Sequence, residues 1–233
     1  AVYGAFTAAT VAISPAVATC LAEGGVEPGR IRVIPEAVDP TRVEATRGRA
    51  AVRAELGAES DEVVVLCVAA LVHRKGVDVL VEAVARLQTK GIAPVVWIAG
   101  EGAERGKLEA AAAASGVAGR VRFLGRRDDV GDLLAGCDAF VLPSRREGLG
   151  VAVLEAMAAG RPVICSAVGG LADSVVHGRT GLLVPPGDVP ALAAVLARLV
   201  NDAGLRARLG REGPRRIAER FAADAMIDAH VRL

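Results

Sequence analysis

The chain has 233 residues, and 52% of them are apolar, so it can bury the core of one large domain, or of one domain and part of another. Its 28 lysines and arginines nearly balance its 27 aspartates and glutamates, which gives no reason to expect nucleic acid or an acidic membrane as the main partner. The longest unbroken apolar run, residues 63–72, is too short to span a bilayer, and the start of the chain lacks a signal-peptide pattern. We therefore expect a cytoplasmic protein without a transmembrane segment.

The first 45 residues differ in pattern from the rest of the chain. Residues 10–14 predict a short strand, Pro15 opens a predicted helix over residues 15–23, and residues 30–35 predict a second strand. Two strands and one helix are too few to enclose a core of their own. We expect residues 1–45 to pack on the main domain or on protein that this chain does not include.

Residues 46–211 alternate between short apolar runs and longer helical patterns. The predicted strands are residues 62–70, 94–99, 120–124, 138–142, 162–166 and 181–184. The predicted helices are residues 76–90, 103–116, 129–136, 149–160, 171–177 and 188–200. This alternation predicts an α/β fold with a Rossmann-like, doubly wound parallel sheet and helices on both faces. A last helical pattern, rich in arginine on one side, covers residues 212–233.

Two carboxylates, Glu147 and Glu155, stand eight positions apart around a glycine turn, a pattern written E-x7-E. A predicted strand precedes the turn and a predicted helix follows it. The free N–H groups and the dipole of the first helical turn favour a phosphate at such a place. A carboxylate about two turns into the helix is placed to accept hydrogen bonds from ligand hydroxyls. A phosphate together with hydroxyls describes a nucleotide sugar.

Each candidate also has a plainer interpretation. Glu155 alone is typical of a solvated helix face, and Glu147 is equally suited to stabilising a helix N-terminus by its charge. Arg74, Lys75 and Arg126 are compatible with solvated surface cations.

Other motifs carry less weight. Gly100, Gly102 and Gly106 invite a dinucleotide-fingerprint interpretation, but their spacing is one residue too long and no acidic residue follows at the expected distance. The three histidines are dispersed and no Asp-x-Asp occurs, so we expect neither a metal site nor a cofactor.

Several segments, all in one order along the chain, carry a family resemblance. They are residues 32–39 (RVIPEAVD), 75–80 (KGVDVL), 99–102 (AGEG), 120–125 (RVRFLG), 143–163 and 178–188. Together they resemble the GT-B retaining glycosyltransferases related to glycosyltransferase family 4, over about residues 10–230. One such segment would be weak evidence, but the ordered set is specific.

The resemblance implies a role for both carboxylates and for the turn between them. Glu155 would accept both ribose hydroxyls of a nucleoside diphosphate sugar, the donor, and Glu147 would lie beside the transferred sugar. Backbone N–H groups of four residues in the turn would bind the diphosphate, namely Gly148, Leu149, Gly150 and Val151.

Three cations receive roles in the same way. Arg74 and Lys75 follow the first strand of the main domain and would neutralise the departing diphosphate without a metal. Arg126 would contact the nucleobase. The chain departs from the family at Ala70, where an arginine is usual, and Arg74 is the candidate to replace it.

The resemblance also implies what the whole enzyme does. It would be a hexosyltransferase-type enzyme that transfers a sugar from the donor to an acceptor with retention of configuration. Residues 1–45 would be the tail of an N-terminal domain plus the interdomain segment, residues 46–211 the donor-binding domain, and residues 212–233 a helix crossing back. The missing N-terminal domain would bind the acceptor, so we expect the isolated chain to be inactive.

Two other functions stay open: a nucleotide-sugar-binding module without catalysis, and a sugar-nucleotide epimerase of GT-B fold. Peripheral contact of the full-length protein with a membrane stays open as well.

Overall fold

The structure is a computed structural model and describes residues 8–233. Its main sheet has six parallel strands in the spatial order β5-β4-β3-β6-β7-β8. These strands are β3 (Val64–Val68), β4 (Val95–Ala99), β5 (Val121–Gly125), β6 (Ala139–Leu142), β7 (Val163–Ser166) and β8 (Gly181–Val184). A separate two-stranded parallel sheet pairs β1 (Thr10–Ala12) with β2 (Ile31–Val33).

The described part of the chain contains ten α-helices, most of which cover the main sheet. They are α1 (Pro15–Glu23), α2 (Arg49–Glu55), α3 (Val77–Gln88), α4 (Arg105–Ala114), α5 (Val130–Gly136), α6 (Val151–Ala158), α7 (Gly169–Ser174), α8 (Val189–Asn201), α9 (Ala203–Arg220) and α10 (Ala223–Val231). Helix α3 packs on α4 and α8, α2 packs on α5, and α6 packs on α9.

The predicted fold class is confirmed, because the six apolar runs are the six strands of one parallel sheet. Strands β3, β4, β6 and β7 are buried along almost their whole length, as strands covered by helices on both sides must be. Trp97 of β4 and Phe140 of β6 are the largest side chains with no exposed surface.

The described part of the N-terminal segment packs on the main domain near the glycine turn. Helix α1 connects β1 to β2 and packs on α7. Ser14 caps α1 by accepting a hydrogen bond from the N–H of Val17, and its hydroxyl donates to the carbonyl of Gly148 at 2.7 Å. The first seven residues of the segment proposed as 1–45 lie outside the described part.

The single helix predicted over residues 212–233 is wrong. Asp202 caps α9 ten residues earlier by accepting a hydrogen bond from the N–H of Leu205 at 2.7 Å, and the boundary proposed at residue 211 falls inside that helix. Helix α9 ends at Arg220, and the next residue, Phe221, is buried. The carbonyl of Phe221 accepts a hydrogen bond from the N–H of Val38 at 3.3 Å. Burying this ring separates α9 from α10.

Helix α2 was not predicted. It has only seven residues, too few for a clear apolar period. Among the described residues, no helix combines the length and the apolar character that crossing a membrane requires.

Candidate functional site

The site lies where the order of the sheet reverses. Chain order runs outward from β3 through β4 to β5, and outward on the other side from β6 through β7 to β8. Parallel sheets bind ligands in the crevice at such a switch point, beyond the carboxyl ends of the strands. Val68 ends β3 and Leu142 ends β6, and both line one cavity of about 370 Å³.

The glycine turn forms one wall of this cavity. Gly150 is the N-cap of α6 and has a φ of 82°, a left-handed conformation that favours glycine. A Cβ atom at Gly169 would lie 1.8 Å from the carbonyl oxygen of Glu147, so the next loop presses directly on the turn. The first N–H groups of an α-helix lack partners one turn earlier, although in α6 the N–H of Val153 donates to the carbonyl of Gly150 at 2.8 Å. The wall is therefore a tight turn followed by the positive end of a helix dipole.

Lys75 and Glu147 form an ion pair that lines the cavity. Lys75 ends a short 3-10 turn, His73–Lys75, after β3, and its ammonium donates a hydrogen bond to Oε2 of Glu147. Their side chains are 15% and 9% exposed, so the ion pair is largely buried. Ser144 Oγ donates to the same carboxylate oxygen at 3.2 Å.

Arg74 lies at the rim of this arrangement. Its Nη1 is 4.0 Å from Oε1 of Glu147, and its side chain is 56% exposed. Ala70, where the resemblance implies an arginine, lines a neighbouring cavity of about 290 Å³ that shares Val68 with the first. The described structure therefore leaves Lys75 as the buried cation beside Glu147.

The four turn residues predicted to bind the diphosphate lie together at one cavity. Gly148, Leu149, Gly150 and Val151 all line the cavity together with Lys75 and Glu147.

Two predicted residues lie apart from that group. Glu155 is buried in α6, with 4% exposure, and is not among the residues that line the cavity. Arg126 lines the neighbouring cavity, with a side chain that is 82% exposed and 3.4 Å from Asp128.

A two-pronged ion pair supports the site from outside the cavity. Arg145 donates from Nη1 and Nη2 to the two carboxylate oxygens of Asp78, each at 2.6 Å. Partial burial raises the pKa of Asp78, but the hydrogen bond and charge of Arg145 outweigh it and the net pKa is lowered. The hydrogen bond to Asp78 raises the pKa of Arg145.

Sequence reasoning missed Ser14, Ile13 and Ser144. Ile13 lines the cavity, and its side chain is 3.3 Å from where a Cβ at Gly148 would lie. The only signal for Ser14 was its position before Pro15, which predicts a helix cap but no contact with Gly148.

The glycines of the Ala-Gly-Glu-Gly segment have a structural explanation. A Cβ atom would lie 1.9 Å from the carbonyl oxygen of Ala69 at Gly100, and 2.3 Å from that of Leu71 at Gly102. The two strand-end loops approach so closely that only glycine fits. In the described part of the chain, no three His, Cys, Asp or Glu side chains group as metal ligands would.

The model of the family described as glycosyl transferases group 1 matches residues 48–216. The lipopolysaccharide core biosynthesis glycosyltransferase LpsE of Rhizobium meliloti is 38% identical over 203 residues, covering 87% of this chain and 57% of that protein. The D-inositol 3-phosphate glycosyltransferase of Streptomyces avermitilis is 36% identical over 215 residues, covering 87% and 46%.

Among solved structures, Anabaena Alr3699/HepE in complex with UDP and glucose superposes with a TM-score of 0.91. It is 25% identical, and the match covers 98% of this chain and 63% of that one. The chain spans about half the length of the curated relatives it matches.

Proposed function

We propose that this chain, which belongs to the glycosyl transferases group 1 family and has the α/β fold of GT-B glycosyltransferases, is the donor-binding part of a hexosyltransferase. The whole enzyme transfers a sugar from a nucleoside diphosphate sugar to an acceptor with retention of configuration. One observation carries the proposal: the Lys75–Glu147 pair faces the N-terminus of α6 across a cavity at the switch point of the sheet.

The diphosphate belongs between Lys75 and the glycine turn. Its negative charge is matched by the Lys75 ammonium, by the N–H groups of residues 148–151 and by the helix dipole. Arg74 adds charge from the rim. These groups stabilise the departing diphosphate with protein cations and amides alone, so the proposal includes no metal.

Glu147 interacts in turn with Lys75 and with the transferred sugar. The Lys75 ammonium donates a hydrogen bond to its carboxylate. When the diphosphate draws the Lys75 ammonium toward itself, the carboxylate is left free to orient the transferred sugar and to stabilise positive charge at its anomeric carbon. The bond between the sugar and the diphosphate breaks, and the acceptor hydroxyl attacks the anomeric carbon from the face that the leaving group vacates, passing its proton to the departing diphosphate. The new glycosidic bond forms on the same face, which gives retention.

The nucleoside extends from the diphosphate toward α6 and the neighbouring cavity. Glu155 accepts hydrogen bonds from the ribose hydroxyls, and Arg126 contacts the base beside Ala70 and Gly100. Because Alr3699/HepE was solved with UDP and glucose, uracil is the first base to test.

The acceptor site belongs to a domain outside this chain, so the isolated chain binds donor and transfers little. We further propose family 4-type chemistry and a cytoplasmic location for the full-length protein. The matched relatives carry glycosyltransferase names, which favours transfer over a binding-only module or an epimerase. Transfer of glucose to a sugar acceptor by the isolated chain would contradict the assignment of the acceptor site.

A thermal-shift panel with UDP, GDP and ADP tests the donor site. At one hundred times its dissociation constant, the preferred nucleotide raises the free energy of unfolding by about 2.7 kcal/mol. Glu155→Gln keeps the size of the side chain and removes a charged acceptor. We therefore expect the variant to bind the preferred nucleotide less favourably by about 1.5–3 kcal/mol. Absence of a shift with every nucleotide would refute the proposal.

A further inference from the structure

Two chain segments meet beside the Lys75–Glu147 pair. The cation turn (residues 73–76) carries Lys75, and the glutamate loop (residues 143–147) carries Glu147. The backbone N–H of Arg145 donates to the carbonyl of Arg74 at 2.8 Å, and its Nη1 donates to the carbonyl of His73 at 3.1 Å. Arg145 thus ties the glutamate loop to the cation turn through both its backbone and its side chain.

The same two segments are pressed together at Gly76. This residue has a φ of 65°, and a Cβ atom there would lie 2.1 Å from the carbonyl oxygen of Pro143. The cation turn and the glutamate loop are therefore in direct backbone contact at this point.

Asp78, in the first turn of α3, contacts the glutamate loop through Arg145. Its carboxylate receives both arms of the Arg145 guanidinium, and such a planar two-pronged contact sets direction as well as distance. Neither Asp78 nor Arg145 lines the cavity, so neither is placed to touch a ligand there. Their side chains are 31% and 27% exposed, and ion pairs near the surface add little to stability.

We propose that Asp78, acting through Arg145, is a positioning residue that holds Lys75 opposite Glu147 and so prepares the site for the donor diphosphate. This rests on the proposed function. Losing Asp78 lets the glutamate loop rotate away from the cation turn, and Lys75 then meets the diphosphate at the wrong place. The nucleoside end of the site, on α6 and beyond, is untouched.

The test compares UDP with uridine, which lacks the diphosphate. Binding of each is measured by titration calorimetry or NMR for the wild-type chain, Asp78→Asn and Arg145→Lys. Asp78→Asn keeps the shape of the side chain but cannot accept from both arms, and Arg145→Lys keeps the charge but loses the fork. We expect each variant to lose about tenfold in UDP affinity, with uridine affinity unchanged.

The matched control is Glu62→Gln, which breaks the ion pair of Glu62 with Arg120. That pair lies before β3 and β5, at the opposite end of the sheet from the cavity. Its side chains are 24% and 40% exposed, similar to those of Asp78 and Arg145. The control is expected to leave UDP affinity unchanged.

A second readout needs no ligand. Acetylation of Lys75 by an N-hydroxysuccinimide ester, followed by peptide mass spectrometry, reports whether the ammonium is still held by Glu147. We expect faster acetylation in Asp78→Asn and Arg145→Lys than in wild type or in Glu62→Gln.

The outcomes separate the two ideas. Equal losses for UDP and uridine, or unchanged UDP affinity together with unchanged acetylation, would overturn the positioning role. If wild type binds no UDP, the proposed function fails, while acetylation of Lys75 still decides whether Asp78 positions it.

Discussion

Replacing Lys75 by methionine is expected to destabilise the fold, because it leaves Glu147 as a largely buried carboxylate. Removing one partner of a fully buried ion pair costs about 3–5 kcal/mol, whereas an exposed pair contributes about 0–1 kcal/mol. The pair of Lys75 and Glu147, at 15% and 9% exposure, lies nearer the buried limit.

The remaining neighbours of Glu147 set the size of the effect. Arg74 at 4.0 Å would attract it by about 4 kcal/mol at an effective dielectric constant of 20. More than half of the Arg74 side chain is exposed, so solvent screening reduces this to about 1 kcal/mol at most. With the hydrogen bond from Ser144 kept, we expect Lys75→Met to lower the free energy of unfolding by about 2 kcal/mol, or Tm by roughly 4–8 °C.

A double-mutant cycle measures the pair directly. Lys75→Met, Glu147→Gln and the double variant are unfolded in urea, and we expect a coupling free energy of about 1–2 kcal/mol. The control cycle uses Arg179 and Glu212, an ion pair of 3.0 Å whose arginine is 59% exposed. Its coupling is expected to be below about 0.5 kcal/mol. If the two site substitutions were additive within about 0.3–0.5 kcal/mol, the account of a buried, coupled pair would be refuted.

Three further predictions test the fold around the site. Ellman's reagent reacts readily in the folded protein with the exposed Cys20 alone, since burial raises the pKa of the other thiols to about 12; rapid titration of a second thiol would contradict this. Those buried thiols are Cys67, Cys137 and Cys165. Burial raises the pKa of Asp132, but hydrogen bonds from the side chain and backbone of Arg47 and from Thr46 outweigh it and bring the pKa from 3.8 to about 2. The lowered pKa stabilises the fold above about pH 4, and this stabilisation is lost as the pH falls toward 2. Urea unfolding is therefore expected to show that Asp132→Asn lowers the free energy of unfolding by about 2 kcal/mol at pH 7 and by little at pH 2. Gly169→Ala places a Cβ 1.8 Å from the carbonyl oxygen of Glu147 and lowers Tm far more than Gly187→Ala, where only the φ of 74° is strained; equal effects would show that the two loops do not touch.

The strands were predictable because most of them consist largely of consecutive apolar residues, as strands buried on both faces do. A run such as Val-Val-Val-Leu-Cys-Val can be nothing but buried, and each such run lies within two residues of a strand at either end. The glycine turn was predictable for a similar reason, since strand, glycines and helix follow one another without interruption.

Contacts between segments distant in the chain could not be predicted from the sequence. The hydrogen bond from Ser14 to Gly148 joins residues 134 positions apart, and that from Arg145 to Asp78 joins residues 67 apart. Neither leaves a local pattern, because serine, arginine and aspartate are ordinary loop and helix residues. The break at Phe221 is of the same kind, since it depends on the apolar neighbours that the ring meets in space.

For Lys75, the family resemblance predicted a role in the site that the local sequence pattern alone did not. Local pattern alone allowed a solvated basic loop, whereas the folded chain brings its ammonium to the Glu147 carboxylate 72 positions away. Arg74, offered as a substitute for the arginine missing at Ala70, lies at the rim and stays a proposal in that role.

The measurement that tests the central claim most directly is a crystal structure of this chain with UDP. The account predicts the diphosphate within hydrogen-bonding distance of Lys75 and of the N–H groups of residues 148–151, with the ribose hydroxyls on Glu155. UDP bound elsewhere, with the Lys75–Glu147 ion pair undisturbed and the cavity beside it empty, would contradict the account.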